Sequence, residues 1–138
     1  MKKSREKFPV CIDFDGTFVS HRYPYIGIEN KPCVEVLKKW SENGVGLILD
    51  TMRDGKELDE AVKWCKEHGI ELYGIGKHPT QHTWTDSNKC YGQLSIDDRN
   101  LGVPLKKVDN ERPMVDWEQI DEMFTSYVLR MANIYLNK

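Results

Sequence analysis

The stretch FPVCIDFDGTFV, residues 8–19, decides the fold. An apolar run rich in strand-forming residues stops abruptly at two aspartates one residue apart, Asp13 and Asp15, and Gly16-Thr17 follows. The run reads as a buried strand with Pro9 at its start, where a missing N–H is tolerated. Two carboxylates so close repel each other, so their place at the end of a strand asks for a partner of opposite charge.

Outward from this stretch, strand and helix patterns alternate. Residues 16–31 lack helical period and are expected to form an irregular loop or small hairpin. A helix is predicted from Pro32, an N1-type position, with Val36, Leu37 and Trp40 on one side, to a stop at Gly44. VGLILD (45–50) follows as a buried strand. Asp54 and Glu57 have the spacing of a capping box, and Leu58, Ala61, Val62 and Cys65 give the next helix its apolar face before Gly69 ends it. IELYGIG (70–76) reads as a third strand and YGQLSIDD (91–98) as a fourth, separated by the polar loop KHPTQHTWTDSNK (77–89). PLKKV (104–108) gives a weak signal for a fifth. Asp116 and Gln119 cap a last helix over 116–136, in which Trp117, Ile120, Phe124, Tyr127, Val128, Met131 and Ile134 keep helical spacing.

This alternation implies an α/β fold, a three-layer sandwich built on a mostly parallel, Rossmann-like sheet with right-handed crossovers. The 138 residues suit one domain spanning 1–138. Its 20 basic and 22 acidic residues nearly balance, so neither general nucleic-acid affinity nor attraction to a membrane is expected. No apolar run is long enough to span a bilayer, and the basic start MKKSREK (1–7), read as a frayed terminus, is not followed by the apolar segment of a secretory signal. A cytoplasmic protein is expected. Cys11, Cys33, Cys65 and Cys90 form no C-x-x-C pair and are expected to be free, mostly buried thiols.

In parallel sheets the ligand site lies beyond the carboxyl ends of the strands. There the sequence places Asp13 and Asp15, then Thr51 and Arg53 in DTMRD, then Asp97, Asp98 and Arg99 in DDR, with Lys89 in the loop before the fourth strand. Like charges about 4 Å apart cost several kcal/mol even at a protein-surface dielectric. An all-oxygen set of this kind suits Mg²⁺, which takes one or two carboxylates and keeps water or phosphate oxygens as further ligands. Lys89 and the Thr51 hydroxyl suit an anion, and cation, anion and carboxylate together point to phosphoryl transfer. Arg53 and Arg99 are either substrate contacts or surface ion-pairing residues. Tyr23, Tyr25 and Trp84 lie in the flanking loops, for stacking on a substrate ring or for ordinary packing. His78, His82 and Cys90 lack an evident fourth zinc ligand, and Pro79 argues against a helix presenting both imidazoles.

CIDFDGT, LILDT, Lys89 and SIDD, in that order over residues 8–102, resemble the four motifs of the haloacid dehalogenase superfamily. The resemblance implies a Mg²⁺-dependent phosphatase that hydrolyses a phosphate monoester through an aspartyl-phosphate. By the same resemblance Asp13 is the nucleophile and Asp15 the acid and base. Thr51 binds a phosphoryl oxygen, and Lys89 pairs with that group and with Asp13. Mg²⁺ is held by the Asp13 side chain, the Asp15 carbonyl, Asp98 and, directly or through water, Asp97. A strand's period of two is expected to turn only one of Asp97 and Asp98 inward. The short intervals between motifs imply a form without a large cap domain, open to a small or macromolecular phosphorylated substrate. Asp50 departs from the apolar or aromatic residue expected before Thr51. Two rivals are a receiver-like phospho-acceptor and a non-catalytic phosphate- or metal-binding module.

Overall fold

In the computed structural model, which describes residues 6–137, the opening stretch forms strand β1 (Phe8–Ile12), buried along its whole length. Residues 1–5 of the basic start lie outside the described residues. Helix α1 (Cys33–Glu42), strand β2 (Val45–Leu49), helix α2 (Gly55–Glu67) and strand β3 (Leu72–Ile75) follow. Strand β4 (Leu94–Ile96) completes a four-stranded sheet in the order β3-β2-β1-β4, with every pairing parallel. The expected α/β fold with a parallel sheet flanked by helices is present.

The direction of each crossover decides which face it covers. Moving β1 to β2 to β3 steps the chain one way across the sheet, so right-handed connections place α1 and α2 on the same face. The return from β3 to β4 runs the other way and must cover the opposite face. That connection, residues 76–93, carries only a single 3-10 turn at Gln81–Thr83. The three-layer expectation is therefore corrected in one respect: the layer opposite the helices is coil.

Strand alternation makes the difference visible. Phe8, Val10 and Ile12 from β1 join Val45, Leu47 and Leu49 from β2 in one core with Leu37, Trp40, Trp64 and Trp117. Cys11, of opposite parity in β1, instead meets Cys90 and the close-packed Gly92, while Tyr73 of β3 lies edge-on to His78. Gln81 anchors the coil layer. Its buried amide donates to the carbonyls of Ser87 and Lys89 and accepts from the N–H groups of His78 and Tyr91.

After β4 the chain forms a separate antiparallel pair, β5 (Leu105–Lys106) with β6 (Met114–Val115). The weak fifth-strand signal thus lies outside the main sheet, and β6 carries no strand pattern in the sequence because two residues are too few to show alternation. The final helix α3 (Trp117–Leu136) begins as expected, with Asp116 accepting the Gln119 N–H at 3.1 Å. Asp54 caps α2 without a side-chain hydrogen bond, so the capping box expected there does not form. Helix α3 docks on α1 through Lys39–Asp121 at 2.7 Å and Trp40 Nε1 donating to Thr125 Oγ1 at 2.9 Å. Among the described residues no helix is long and apolar enough to cross a membrane.

Candidate active site

The three strand ends meet where β1, β2 and β4 stop. Asp13 follows β1 and is held by its own N–H, which donates to the Ile96 carbonyl of β4 at 2.9 Å. Asp50 is tied likewise to β1 through the Ile12 carbonyl. Beyond Asp13 the chain turns sharply at Gly16, whose φ of +80° favours glycine and whose missing side chain leaves room for His21 and Asp98. Buried Asn30 then fastens this loop to the second sheet by donating to the carbonyls of Thr17 and Val115. Trp117 Nε1 donates to the same Thr17 carbonyl at 2.8 Å, so the loop that follows the aspartates is clamped from beneath by α3.

Carboxylate oxygens of Asp13, Asp97 and Asp98 all lie within 4.8 Å of one another. Without a cation this costs energy, and the Asp13 carboxyl is pushed up from 3.8 to about 8, first by burial and then by the charges of Asp97 and Asp98. Asp98 is also raised, chiefly by burial. Both Asp97 and Asp98 reach the cluster, against the expectation that only one would. The strand ends at Ile96 and a turn begins at Asp98, closed by Asn100 N–H donating to the Asp97 carbonyl, so the period of two no longer applies. Asp97 accepts the Arg99 N–H at 2.9 Å, and Asp98 shares a 2.8 Å hydrogen bond with His21 Nε2.

Asp15 has a different partner. Arg53 Nε donates to one of its oxygens and Arg53 Nη2 to the other, both at 2.8 Å. The rest of the guanidinium is occupied too: Nη2 also donates to the Tyr25 carbonyl at 2.8 Å, and Nη1 to the carbonyls of Pro24 and Glu57 at 3.3 Å. A guanidinium has five N–H donors. All are engaged, and Arg53 is buried beneath the Phe14 and Tyr23 rings. Of the two roles open to Arg53, the structure shows the ion pair: although it lines the cavity, its donors are spent on Asp15 and on the carbonyls of Pro24, Tyr25 and Glu57. Asp15 contributes no side-chain oxygen to the acidic cluster, leaving only its main-chain carbonyl for a cation.

A cavity of about 350 Å³ is lined by Asp13, Asp15, Thr51, Arg53 and Asp98 together with His21, Tyr23, Met52, Arg99 and Arg112. The size is in the range of small-ligand sites. Thr51 Oγ1 accepts the Arg53 N–H at 3.1 Å, and its O–H remains able to donate to a ligand. Lys89 does not line the cavity. Its side chain is exposed on the coil layer, because its carbonyl is held by Gln81 at 2.7 Å and its N–H by Ser87 Oγ at 3.1 Å. Apart from the buried, fully engaged Arg53, the arginines lining the cavity are the exposed Arg99 and Arg112. Arg112, in the turn between β5 and β6, and His21, in the irregular loop, have no local sequence signal that would mark them. Tyr23 reaches the cavity; exposed Trp84 packs edge-on to Tyr91 elsewhere. Among the described residues His78 and His82 join no metal-binding group.

A larger cavity of about 540 Å³ lies between α3 and residues 94–104. Trp40, Leu101, Val103, Phe124 and Tyr127 line it, with no carboxylate, cation or thiol, so the chemically equipped cavity is the smaller one.

No family model matches the chain, and no curated protein matches it. A solved structure of a conserved protein coded by a locus of Bacteroides thetaiotaomicron is similar to it, with 40% identity, a TM-score of 0.73, and coverage of 88% of this chain and 92% of the other.

Proposed function

We propose that this chain, which belongs to the same family as the conserved Bacteroides thetaiotaomicron protein, is a Mg²⁺-dependent phosphatase of the haloacid dehalogenase type without a large cap domain. The observation that carries this reading is the convergence of Asp13, Asp97 and Asp98 at the carboxyl ends of two adjacent parallel strands, with Asp15 fixed beside them. An all-carboxylate set with a raised Asp13 fits a hard divalent cation. Asp13, Asp98 and Asp97 would hold it, together with the Asp15 carbonyl, and when bound it supplies charge neutralisation for a phosphoryl group.

The protein's own residues divide the remaining work. An Asp13 oxygen attacks phosphorus, the bond to the ester oxygen breaks, and Asp15 gives that oxygen a proton. Asp15 then takes a proton from water as the water attacks phosphorus, and the bond to Asp13 breaks to release phosphate. A carboxylate has about four acceptor sites and Arg53 occupies one on each oxygen, so Asp15 can be held rigidly and still face the cavity. The Thr51 hydroxyl donates to a phosphoryl oxygen. Arg99 and Arg112 supply positive charge at the cavity, in place of the exposed Lys89.

Release of phosphate from a generic aryl phosphate tests the reading. Activity should require Mg²⁺ and vanish in Asp13→Asn, while Asp15→Asn should accept phosphate slowly and retain it. Wild-type turnover by Asp13→Asn would remove the nucleophile. A long-lived phosphoryl label on the wild-type chain after treatment with acetyl phosphate would favour the receiver-like alternative.

A further inference from the structure

The coil layer carries a second chemical site. Cys90, half-buried at the end of the 77–90 segment, lies with its sulfur 2.7 Å from the sulfur of Cys11 on β1. Asp50 is the third member of the group, all three presenting ligand atoms within 4.8 Å of one another. Two chemistries could use such a group, a soft metal ion or a sulfur–sulfur bond, and the distance separates them. Thiolates bound to one tetrahedral zinc, each about 2.3 Å from the metal, stand roughly 3.7 Å apart. The observed separation is shorter by about 1 Å and lies between that spacing and the bonded length of about 2.05 Å. Asp50 makes two adjacent thiolates unfavourable, whereas a disulfide carries no charge.

We propose that Cys11 and Cys90 form a disulfide on exposure to a hydroperoxide, fastening the coil layer to the first strand. Cys90 is the sulfur that meets the oxidant, since Cys11 is buried. The hydrogen bond it shares with Cys11 lowers the Cys90 thiol from its ordinary value, which favours the nucleophilic thiolate at that position. In the first step the Cys90 thiolate attacks one peroxide oxygen, the O–O bond breaks, and Cys90 becomes a sulfenic acid as hydroxide leaves and is protonated to water. In the second, the Cys11 sulfur attacks the Cys90 sulfur, the S–O bond breaks, and the Cys11 proton leaves with the hydroxyl group as water. Two thiols and one peroxide thus give one disulfide and two waters. Cys33 and Cys65 are buried in the opposite, helical face and take no part.

The bond closes a loop spanning 79 positions of sequence, so it should raise the melting temperature rather than leave it unchanged. It also restrains the segment that carries Lys89. Neither cysteine lines the acidic cavity, so the bond can form whether or not the protein is a phosphatase, and mass and melting temperature read it without any catalytic assay.

The intact protein is treated with dilute hydrogen peroxide, then its mass and melting temperature are measured before and after thiol reductant. The expected result is a monomer lighter by two hydrogens, a single peptide pair joined through Cys11 and Cys90, and a higher melting temperature that reductant reverses. Cys90→Ser, at a half-exposed position where folding is little affected, should abolish all three changes. Cys90 found only as a sulfinic acid or as an intermolecular disulfide would overturn the proposal, as would a bond to Cys33 or Cys65. So would a lower melting temperature on oxidation, or stoichiometric zinc binding by the reduced protein that is lost in Cys90→Ser.

Discussion

Arg53 shows how far a side chain's surroundings outweigh its place in a motif. Sequence position puts it two residues after Thr51 at a strand end, where an arginine suits an anionic substrate. Its burial and its five engaged donors commit its hydrogen bonds to the protein, even though it lines the cavity. Arg53 is buried but Asp15 faces the cavity, so removing the guanidinium leaves a carboxylate that water can reach and frees the carbonyls of Pro24, Tyr25 and Glu57, at a cost of about 1–3 kcal/mol. Arg53→Ala should therefore lower the free energy of unfolding by roughly that amount in urea titration. Arg53→Lys should recover less than half of the loss, since one ammonium has three donors and cannot reproduce the planar fork that spans both Asp15 oxygens. A loss below about 1 kcal/mol in Arg53→Ala, the level of an exposed ion pair, would contradict its role in holding Asp15. Lys89 teaches the same lesson in reverse. The sequence offers a cation at the right distance along the chain, but the hydrogen bonds of Gln81 fix the backbone on either side so that the side chain faces solvent.

At the scale of single elements, two helix starts look alike in sequence and differ in the structure. Both have an aspartate followed three positions later by a residue with a side-chain amide or carboxyl, Asp54-Glu57 and Asp116-Gln119. Only Asp116 accepts a backbone N–H, and Gln119 Nε2 also donates to it at 3.1 Å. Asp116→Ala should then cost about 1 kcal/mol, the usual value of an N-cap, while Asp54→Ala should cost only a few tenths. Thermal or urea unfolding of the two variants side by side checks the contrast, and equal losses would mean that the cap geometry carries no energy. The strands and helices themselves were legible because each has a period or a run of its own: five consecutive buried positions in β1 and β2, and apolar spacing along α1, α2 and α3. The coil layer and β6 were not. The coil's fit depends on one buried glutamine and one close-packed glycine, and nothing in their sequence neighbourhood signals a contact with a strand some eighty residues away. The same limit applies within the site. The aspartates follow strands and are read directly, whereas His21 and Arg112 reach the cavity from loops whose paths only the folded chain defines.

For the molecule as a whole, the acidic cluster sets stability against charge and so makes folding depend on pH and on divalent cations together. In the chain without a cation Asp13 is raised from 3.8 to about 8, so the folded state binds its proton more tightly than the unfolded state does. That contribution is fully present below the unfolded value of 3.8 and is lost as pH rises through about 8. Stability in the presence of a chelator should consequently decline between pH 5 and pH 8.5 by on the order of a few kcal/mol, since a tenfold difference in proton affinity between the folded and unfolded states is worth about 1.4 kcal/mol. At roughly 3 °C for each kcal/mol, the melting temperature should fall by several degrees across that range. Saturating Mg²⁺ should reverse most of the decline, because a cation that binds only the folded, ionised cluster stabilises it by mass action. Asp13→Asn separates this account from a general response to pH. Without the titrating carboxyl, the variant should melt higher than the wild type at pH 8 in chelator, its pH slope should flatten, and Mg²⁺ should raise its melting temperature less. Scanning calorimetry of both proteins, with chelator and with Mg²⁺ at each pH, measures all three effects. A wild-type protein whose melting temperature rises from pH 5 to pH 8 in chelator would show that Asp13, Asp97 and Asp98 do not carry the mutual repulsion their spacing implies.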